Sequence, residues 1–337
     1  MIIAIDASGG DYAPHEIVKG AIKAAQEYDD VEIALVGRKD IISILTGRHL
    51  GKLAITIVDA KQVIGPTESP IEAVNSKPNS SIVTGINLVK DGSASAFISA
   101  GNTGAIFYSA LANLGRIEGI ERPAIASTIN INSTAPVLLI DAGANADCRP
   151  NHMVQFAQLG NIYAREIYGI SAPRIGLLNN GQEESKGNRL AKESHNLIKK
   201  TRLNFIGNIE GQDIIKGKAD VVVTDGFTGN IVLKTMEGLG DTFLKLRPMR
   251  QLLSQARHLQ GSGLIFDVKL SSLIRGMDYR EYGGACILGM NGNIIKAHGR
   301  SQASAIRTAV GLAKQTVERG ICQKIKEESY EQTDPGR

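Results

Sequence analysis

The sequence is poor in several features that would narrow its function. It contains no tryptophan, and aromatic residues make up only 4% of the chain. The three cysteines, Cys148, Cys286 and Cys322, form no CxxC pair and no Cys/His cluster, which argues against zinc and favours a reducing compartment. No apolar run approaches the ~20 residues of a membrane span. Because a strand is predicted from Ile2, we expect no signal peptide and a cytoplasmic protein.

Excess charge and nucleotide motifs are missing as well. The net charge is only +4, and the eight Tyr and seven Phe do not alternate with basic runs, so we expect no nucleic-acid partner. No GxxxxGK[ST] follows a predicted strand, and the pairs Gly9-Gly10 and Gly101-Gly104 do not make GxGxxG. If the protein binds an anion, that anion is therefore small or is carried by something other than a nucleotide.

The sequence is rich in one feature, a turn that it repeats five times. Each copy is a short apolar run, read as a buried strand, that breaks into Gly, Asn and Asp before a helical pattern begins. Turns of this kind direct backbone N–H groups and a positive helix end at one point, which suits an anion. In a parallel sheet the carboxyl ends of neighbouring strands share one edge, so several copies could form one crevice. The copies span 2–11, 96–105, 137–147, 175–188 and 221–230.

Apolar runs of strand length alternate with amphipathic stretches of helix length, which predicts an α/β fold with a doubly wound, mostly parallel sheet. The predicted strands are 2–6, 31–36, 54–58, 95–99, 124–128, 136–141, 174–178, 203–207, 220–224 and 284–288. The predicted helices are 14–28, 38–47, 80–91, 103–114, 151–168, 186–200, 228–246 and 301–318. We expect one catalytic domain over 1–322, with two lobes as an option, a helical hairpin insertion at about 240–276 and a loose polar tail at 323–337. The proline-rich stretch 59–80 is predicted to be an irregular lid or binding loop.

Charged residues in these turns have two interpretations each. Lys186 lies between Gly181 and Gly187, where its ammonium could hold a phosphate. Alternatively it is a surface lysine paired with Glu183 or Glu184. 

Three acids, Asp6, Asp141 and Asp225, each follow an apolar strand. They are metal ligands, a base, or N-caps of the next helix, and capping is the commoner use. They leave Mg²⁺ possible, but no paired carboxylate motif calls for it. We expect no cofactor.

Eight strings in fixed order carry a resemblance over nearly the whole chain. They are DASGGDYAP, SAGNTGA, LIDAGANADCRP, GLLNNGQEESKGN, NFIGNIEG, ADVVVTDGFTGNIVLKTMEG, DYREYGGA and KAHGRS. Together they resemble the bacterial phosphate acyltransferases that form acyl phosphate from acyl-acyl carrier protein and inorganic phosphate, at the entry to phospholipid synthesis. The resemblance implies a homodimer and a fold similar to the isocitrate and isopropylmalate dehydrogenases and the phosphotransacetylases.

The resemblance also implies roles for individual residues. Lys186 and Asn230 would contact phosphate or the thioester, and His298 is either a proton donor to the departing thiolate or a structural histidine. The predicted substrate-binding residues are Asp6, Gly9, Gly10, Gly101, Asn102, Thr103, Gly104, Asp141, Asn145, Asn188, Asp225 and Gly226.

The implied reaction needs little acid-base machinery. Phosphate is partly a dianion near neutral pH and can attack a thioester directly, and the leaving thiol has a pKa of about 8.5. Positioning and N–H donors would then supply the rate gain. Cys148 could be proposed as an acyl-enzyme nucleophile, but its only nearby histidine is His152, so a packed cysteine is the simpler interpretation.

Several positions depart from the family pattern. Ser8 stands where Met is usual and Tyr12 where His is usual, and Asn180 and Gln182 replace an Ile and a Glu. No Arg is found near Asn75, where one is expected. The role of the proline-rich stretch in carrier-protein or phosphate binding is therefore open.

The segment 245–275 combines apolar residues with a net charge of +5. It suits an anionic membrane surface, an acidic carrier protein or a dimer-packing hairpin. A peripheral position at the inner face of the membrane, near a membrane glycerol-phosphate acyltransferase, follows from the first option.

Three other functions compete with acyl transfer from a carrier protein. A phosphate acetyltransferase would use coenzyme A and bind an adenine nucleotide. A metal- and NAD-dependent decarboxylating dehydrogenase would need a dense Arg and Asp constellation, which the sequence does not offer. A non-catalytic anion-binding or membrane scaffold would use the same turns only to bind.

Overall fold

The structure is a computed structural model that describes residues 1–132, 135–245 and 283–333. It divides into two compact units, Met1–Ile125 with Tyr282–Arg337 and Ala126–Glu281. The predicted hairpin at about 240–276 lies mostly outside the described residues.

Eleven strands are found among the described residues. They are β1 (Ile2–Asp6), β2 (Glu32–Gly37), β3 (Ile55–Asp59), β4 (Ala96–Ser99), β5 (Ala124–Asn132), β6 (Ala135–Ile140), β7 (Ile175–Leu178), β8 (Phe205–Ile209), β9 (Val221–Val223), β10 (Ala285–Leu288) and β11 (Asn293–Lys296).

Eleven α-helices are found in the same part of the chain. They are α1 (His15–Glu27), α2 (Lys39–Thr46), α3 (Pro70–Ser76), α4 (Ser81–Lys90), α5 (Thr103–Asn113), α6 (Pro150–Tyr168), α7 (Arg189–Ile198), α8 (Gly211–Ile215), α9 (Gly226–Lys245), α10 (Ala303–Glu318) and α11 (Ile321–Thr333).

In the first unit the strands lie in the order β3-β2-β1-β4-β11-β10. All neighbours are parallel except β10 and β11, which form an antiparallel pair. Helix α1 packs against α2 and α10, and helix α5 packs against α3 and α4. The residues of β1, β2, β4 and β10 are mostly apolar and buried, as a sheet covered by helices requires, whereas β3 exposes Thr56 and Asp59.

In the second unit the order is β5-β6-β9-β7-β8. β5 and β6 are antiparallel, whereas β6, β9, β7 and β8 run parallel. Helix α6 packs on β6 and β9, and α7 packs on α6 and β8. The predicted α/β class, with a mostly parallel doubly wound sheet, is confirmed.

Each predicted strand and helix lies where the sequence places it, but some elements were not foreseen. The stretch 59–80 contains α3, which begins at Pro70 because proline suits a helix first turn. Strand β11 and helix α8 were not predicted. The prediction of a loose tail from 323 is wrong up to Thr333: α11 continues there and buries Ile321 and Ile325 on one side.

No helix in the described ranges is both long and apolar enough to cross a membrane.

Candidate functional site

In the first unit, three turns meet at one edge of the sheet: the two predicted copies after β1 and β4, and the turn after β11. β4 lies beside β1 and β11, all three parallel, with Ile5 opposite Ile98 and Ser99 opposite Lys296. The chain segments that follow their carboxyl ends are therefore neighbours. The N–H of Asp11 donates to the carbonyl of Gly299 over 2.8 Å, which joins the first of these turns to the third.

Asp6 lies at the centre of this edge and is almost completely buried. Its carboxyl group accepts hydrogen bonds from the Ser99 hydroxyl at 2.6 Å and from the Ser8 N–H at 3.0 Å. The Ser99 hydroxyl in turn accepts from the Gly101 N–H at 3.0 Å. Burial raises the pKa of the Asp6 carboxyl above its ordinary value, against hydrogen bonds from Ser99, Ser81 and backbone N–H groups that lower it. Asp6 thus holds two turns together from inside.

The glycines of the first turn allow this close approach. A Cβ on Gly9 would clash with the Asp6 carboxyl and lie 2.7 Å from the Gly101 nitrogen. Gly10 has a φ of +105°, and its Cβ would lie 2.9 Å from that of Ala100. Only glycine fits both positions without displacing the neighbouring turn.

Asn102 is the N-cap of α5 and also anchors the proline-rich loop. Its Oδ1 accepts from the Ala105 N–H at 3.1 Å. Its Nδ2 lies within 3.3 Å of three carbonyl oxygens, those of Gly65, Pro66 and Glu68. The side chain predicted to bind substrate is therefore engaged at both ends. The N–H groups of Thr103 and Gly104, at the start of the helix, have no acceptor among the described residues, so they are the polar groups of this turn that remain open.

The loop that Asn102 anchors is closely tied down. The Lys77 ammonium forms an ion pair with both oxygens of Glu68 at 2.7 Å and donates to the carbonyl of Val63 at 2.9 Å. Glu68 also accepts from the Gly65 N–H at 2.6 Å. A Cβ on Gly104 would lie 2.5 Å from Pro70, so the loop packs directly on the start of α5. These contacts fit a fixed wall of the site better than a lid.

His298 follows β11 and belongs to the same edge. Its Nδ1 accepts from the Arg300 N–H at 3.1 Å, and its carbonyl accepts from the Ser301 N–H at 2.9 Å. A ring whose Nδ1 accepts a hydrogen bond carries its proton on Nε2 when neutral. When the ring is neutral, Nε2 therefore carries the hydrogen, and the residue is partly exposed.

In the second unit, the turns after β6, β9 and β7 also meet at one edge. β9 lies between β6 and β7, with Val223 opposite both Ile140 and Leu177. Asp141, directly after β6, is completely buried. Its carboxyl group accepts from the N–H groups of Gly143, Ala144 and Asn145 at 2.7–3.2 Å. Asp141 therefore folds its own turn and is not placed as a metal ligand or base.

Asn145 joins this turn to the start of α9. Its side-chain Nδ2 donates to Asp141 at 2.9 Å, and its carbonyl accepts from the Gly226 N–H at 2.7 Å. A Cβ on Gly226 would lie 2.7 Å from both the nitrogen and the oxygen of Asn145. A Cβ on Gly229 would clash with the carbonyl of Asp141. Gly226 and Gly229 thus let the turn rest directly on the start of α9.

Asp225 and Asn230 have different roles in the same helix. Asp225 accepts from both the N–H and the hydroxyl of Thr228 at 2.8 Å, which is an N-cap interaction. Asn230 is exposed one turn later, beside Gly143, and its amide makes no hydrogen bond to any described residue. Of the two, Asn230 is free to contact a ligand.

Lys186 lies in the long turn after β7. Its aliphatic stem packs over Gly181, where a Cβ would lie 2.9 Å from Lys186 Cγ. The predicted alternative, an ion pair with Glu183 or Glu184, is not formed: Glu184 pairs with Lys199 at 2.6 Å instead. Within the described part of the chain the Lys186 ammonium has no ion-pair or hydrogen-bond partner. It is an exposed, uncompensated cation at the edge where the turns meet.

Asn188 and Cys148 are structural in this arrangement. Asn188 is the N-cap of α7 and accepts from the Ala191 N–H at 2.8 Å. Cys148 donates weakly to the carbonyl of Asn145 at 3.4 Å. The Nδ1 of His152, the only histidine close in sequence, accepts from the Arg149 N–H at 3.1 Å. This nitrogen is occupied by the helix N-terminus, which gives no support to a Cys–His pair.

The predicted residues therefore gather in two sets, one in each unit. The first set is Asp6, Gly9, Gly10, Gly101, Asn102, Thr103, Gly104 and His298. The second set is Asp141, Asn145, Lys186, Asn188, Asp225, Gly226 and Asn230. A common crevice for both sets stays a prediction. Among the described residues no group of three or more His, Cys, Asp and Glu side chains could hold a metal ion.

Comparison with known proteins shows the family to which this chain belongs. Residues 1–324 match the family model described as "Fatty acid synthesis protein". The chain belongs to this family. A phosphate acyltransferase from Dehalococcoides mccartyi is 56% identical over 336 residues, which cover 100% of this chain and 96% of the relative. One from Bacillus licheniformis is 43% identical, with 99% and 100% covered. The resemblance carried by the eight strings is confirmed.

Two solved structures have the same fold. A phosphotransacetylase from Streptococcus pyogenes superposes with a TM-score of 0.61 at 18% identity, covering 94% of each chain. A 4-hydroxythreonine-4-phosphate dehydrogenase from Klebsiella pneumoniae gives 0.53 at 12%, covering 94% of this chain and 98% of the other. At these identities the match shows that the family member shares their fold.

Sequence reasoning missed the residues that hold the turns in place. Ser99, which links Asp6 to Gly101, was not singled out, although it begins the string SAGNTGA. Asn179 and Asn208 lie inside quoted strings, yet neither was given a role. For Asn179 the available signal was its place directly after β7, because an amide there can bond backbone groups two or more residues away, whereas Asn208 lies inside β8.

Proposed function

We propose that this family member is a phosphate acyltransferase that forms acyl phosphate and free carrier-protein thiol from acyl-acyl carrier protein and inorganic phosphate. The relatives in this family supply the name of the reaction. The observation that carries the assignment to this site is Lys186, whose exposed ammonium in the turn after β7 has no partner among the described residues. A phosphate dianion is the ligand that such a cation, with nearby N–H donors, would hold.

The chemistry proposed for the site is a direct attack. A phosphate oxygen forms a bond to the thioester carbonyl carbon, and the C–S bond breaks to release a thiolate that takes up one proton. The Asn230 amide is the donor proposed to face the carbonyl oxygen as its negative charge grows. Positioning of two reactants is worth up to ~7–11 kcal/mol in favourable cases, so no protein nucleophile is required.

His298 is proposed as the proton source for the departing thiolate. Its Nδ1 is fixed by the Arg300 N–H, so its exchangeable proton lies on Nε2. The thiol pKa of about 8.5 makes this help modest, because the thiolate is already a fair leaving group. The family member should therefore tolerate loss of His298 better than loss of Lys186.

Partners beyond the substrates are proposed from the sequence. The segment 245–275 lies, except for Lys245, outside the described residues, and its net charge of +5 suits an anionic membrane or the acidic carrier protein. A homodimer, a cytoplasmic location with reversible contact at the inner membrane face, and a membrane glycerol-phosphate acyltransferase as the consumer of acyl phosphate complete the proposal. Basic residues near an anionic surface add ~1 kcal/mol each before screening, so such contact should weaken with salt.

Phosphate acetyl transfer with coenzyme A is the second candidate, favoured by the fold shared with a phosphotransacetylase. A substrate comparison separates the two. The protein is incubated with matched palmitoyl thioesters of carrier protein and of coenzyme A, each with and without phosphate, and thiol release is followed. We expect release from the carrier protein that depends on phosphate. Equal or faster use of the coenzyme A thioester would assign the second reaction, and release without phosphate would overturn both.

A further inference from the structure

We propose that Asn208, itself oriented by His195, is a positioning residue for Lys186. Both residues lie outside the predicted site, and both are buried in the second unit, on β8 and α7. The inference rests on the proposed function, because that function gives Lys186 the task of holding phosphate.

The backbone of Lys186 is fixed at both of its polar groups. Its N–H donates to the carbonyl of Glu183 over 3.0 Å, which closes a tight turn. Its carbonyl accepts from the Asn179 side chain at 3.2 Å. Neither bond involves the ammonium. The direction in which the exposed side chain leaves the turn therefore depends on where these two anchors hold the backbone.

Asn208 holds one of those anchors. Its Nδ2 donates over 2.9 Å to the same Glu183 carbonyl that accepts from Lys186. One oxygen thus receives two donors, one from the turn and one from β8, a strand paired with β7. A shift of the Asn208 amide would move this oxygen and with it the turn that carries Lys186.

His195 determines which way the Asn208 amide points. Its Nδ1 lies 3.0 Å from Asn208 Oδ1. Because Nδ2 of Asn208 is directed at a carbonyl, Oδ1 must be the acceptor, so Nδ1 of His195 carries a hydrogen. The ring packs edge-on against Phe205, with centroids 5.1 Å apart, which limits its rotation.

The second ring nitrogen of His195, Nε2, supports the view that the polar contribution of this histidine is the bond from Nδ1 to Asn208. Nε2 of His195 is buried and has no hydrogen-bond partner among the described residues, with Glu184 Oε1 at 3.5 Å. A buried polar atom without a partner is unfavourable, and an apolar side chain would fill the same space without that cost. Glu184 is bound instead by Lys199, which ties the turn to α7 at a second point.

The consequence for catalysis is one of geometry. A misplacement of 1 Å far from the reacting atoms can cost up to ~100-fold in rate. Loss of the Asn208 anchor should therefore weaken phosphate use while the carrier-protein thioester is still bound normally. A residue that only supported the fold would affect both substrates alike.

The test uses the full chain and the change Asn208→Asp. This change keeps the shape of the side chain but replaces the N–H donor with a carboxylate oxygen, which repels the Glu183 carbonyl oxygen. Asn204→Asp is the matched control: Asn204 immediately precedes β8 and donates to Ala172 at 3.0 Å, away from the Lys186 turn. We expect Asn208→Asp to lower kcat/KM for phosphate about tenfold, with the thioester KM unchanged and the control near wild type. His195→Asn, whose amide can still donate to Asn208, should retain most of the activity.

A double variant decides whether Asn208 acts through Lys186. In a Lys186→Ala background, Asn208→Asp should cause no further loss, because the group that it positions is gone. A full tenfold loss in that background, or full activity of Asn208→Asp alone, overturns the inference while the proposed function stands.

A second readout does not depend on the reaction. Trypsin cleavage after Lys186, followed by mass spectrometry, reports how firmly the turn is held. We expect faster cleavage in Asn208→Asp than in wild type or Asn204→Asp. If wild type makes no acyl phosphate, the proposed function is wrong, and the cleavage rates still test whether Asn208 holds the Lys186 turn. Cleavage at the same rate in Asn208→Asp and in wild type would overturn that inference.

Discussion

The two sets of turns differ in what their side chains are used for. In the first unit, Asp6, Ser99 and Asn102 are all engaged by other protein groups. In the second unit, Asp141, Asn145 and Asp225 are engaged in the same way. Lys186 and Asn230, however, are exposed and bind no described residue.

This difference separates residues that build a site from residues that use it. A carboxylate or amide that accepts several backbone N–H groups holds a turn in shape and has little capacity left for a ligand. A side chain whose backbone is fixed but whose polar end is open can bind one. Variants of the two kinds should therefore fail in different ways, the first in stability and the second in turnover.

The largest effect on turnover is expected from Lys186→Met, which keeps the stem over Gly181 and removes the charge. A charge-assisted contact is worth ~1.5–3 kcal/mol, so kcat/KM for phosphate should fall by at least about tenfold with Tm unchanged. Steady-state kinetics at varied phosphate is the measurement. Lys192→Met, at an exposed position on α7, is the matched control and should behave as wild type. Equal activity of both variants would make Lys186 an ordinary surface lysine.

Asn102→Ala should give the next largest effect, on stability. Loss of an N-cap costs ~1 kcal/mol, and this side chain also bonds three loop carbonyls, so about 2 kcal/mol is expected. Asn188→Ala in the second unit removes a cap alone and should cost about half as much. Chemical denaturation of the two variants compares them. If Asn188→Ala were the more destabilising, the anchoring role of Asn102 would be wrong.

A smaller effect is expected in the pH dependence of stability. Burial raises the pKa of Asp6 from 3.8. A carboxyl group with a raised pKa in the fold contributes fully below its unfolded value and loses that contribution as the pH rises through the folded value. The Tm of wild type relative to Asp6→Asn should therefore fall as the pH rises from about 4 upward. Thermal unfolding across that range measures it, and a difference that grows with pH would contradict the direction.

The smallest effect is expected from Cys148→Ser. The thiol donates weakly to the Asn145 carbonyl, and direct attack by phosphate needs no acyl-enzyme. Turnover should stay within about twofold of wild type, since a surface-near substitution of this size changes stability by roughly 0.5 kcal/mol or less. Intact-protein mass spectrometry after incubation with thioester should find no acyl adduct, whereas an adduct on Cys148 would show covalent catalysis.

The sequence predicts the parallel core well because its strands are continuous apolar runs between clear turn residues. Strand β11 was not predicted because Asn293–Lys296 contains only two apolar residues after a glycine turn. Its strand character comes from pairing with β4. Helix α3 escaped because three prolines suggested a loop, although Pro70 can begin a helix. Helix α11 escaped because its two buried isoleucines, Ile321 and Ile325, are few for a helical pattern.

The sequence predicted the turns that form the site, but it did not predict the role of each side chain. An aspartate after a strand has the same sequence signature whether it caps a helix, folds a turn or binds a ligand. Asp225 caps, Asp141 folds its turn and Asp6 joins two turns, and only the positions of the surrounding N–H groups distinguish them. The role of Asn208 depends on a backbone carbonyl 25 residues away, which no local pattern reveals.

The central claim is that phosphate itself takes the acyl group, and ³¹P NMR tests it most directly. The protein is mixed with acyl-acyl carrier protein and phosphate, and the phosphorus spectrum is recorded while thiol release is measured in parallel. We predict a new acyl-phosphate resonance that grows one for one with released thiol, and no thiol release when phosphate is omitted. Thiol release with an unchanged phosphate signal would make the protein a thioesterase and contradict the account.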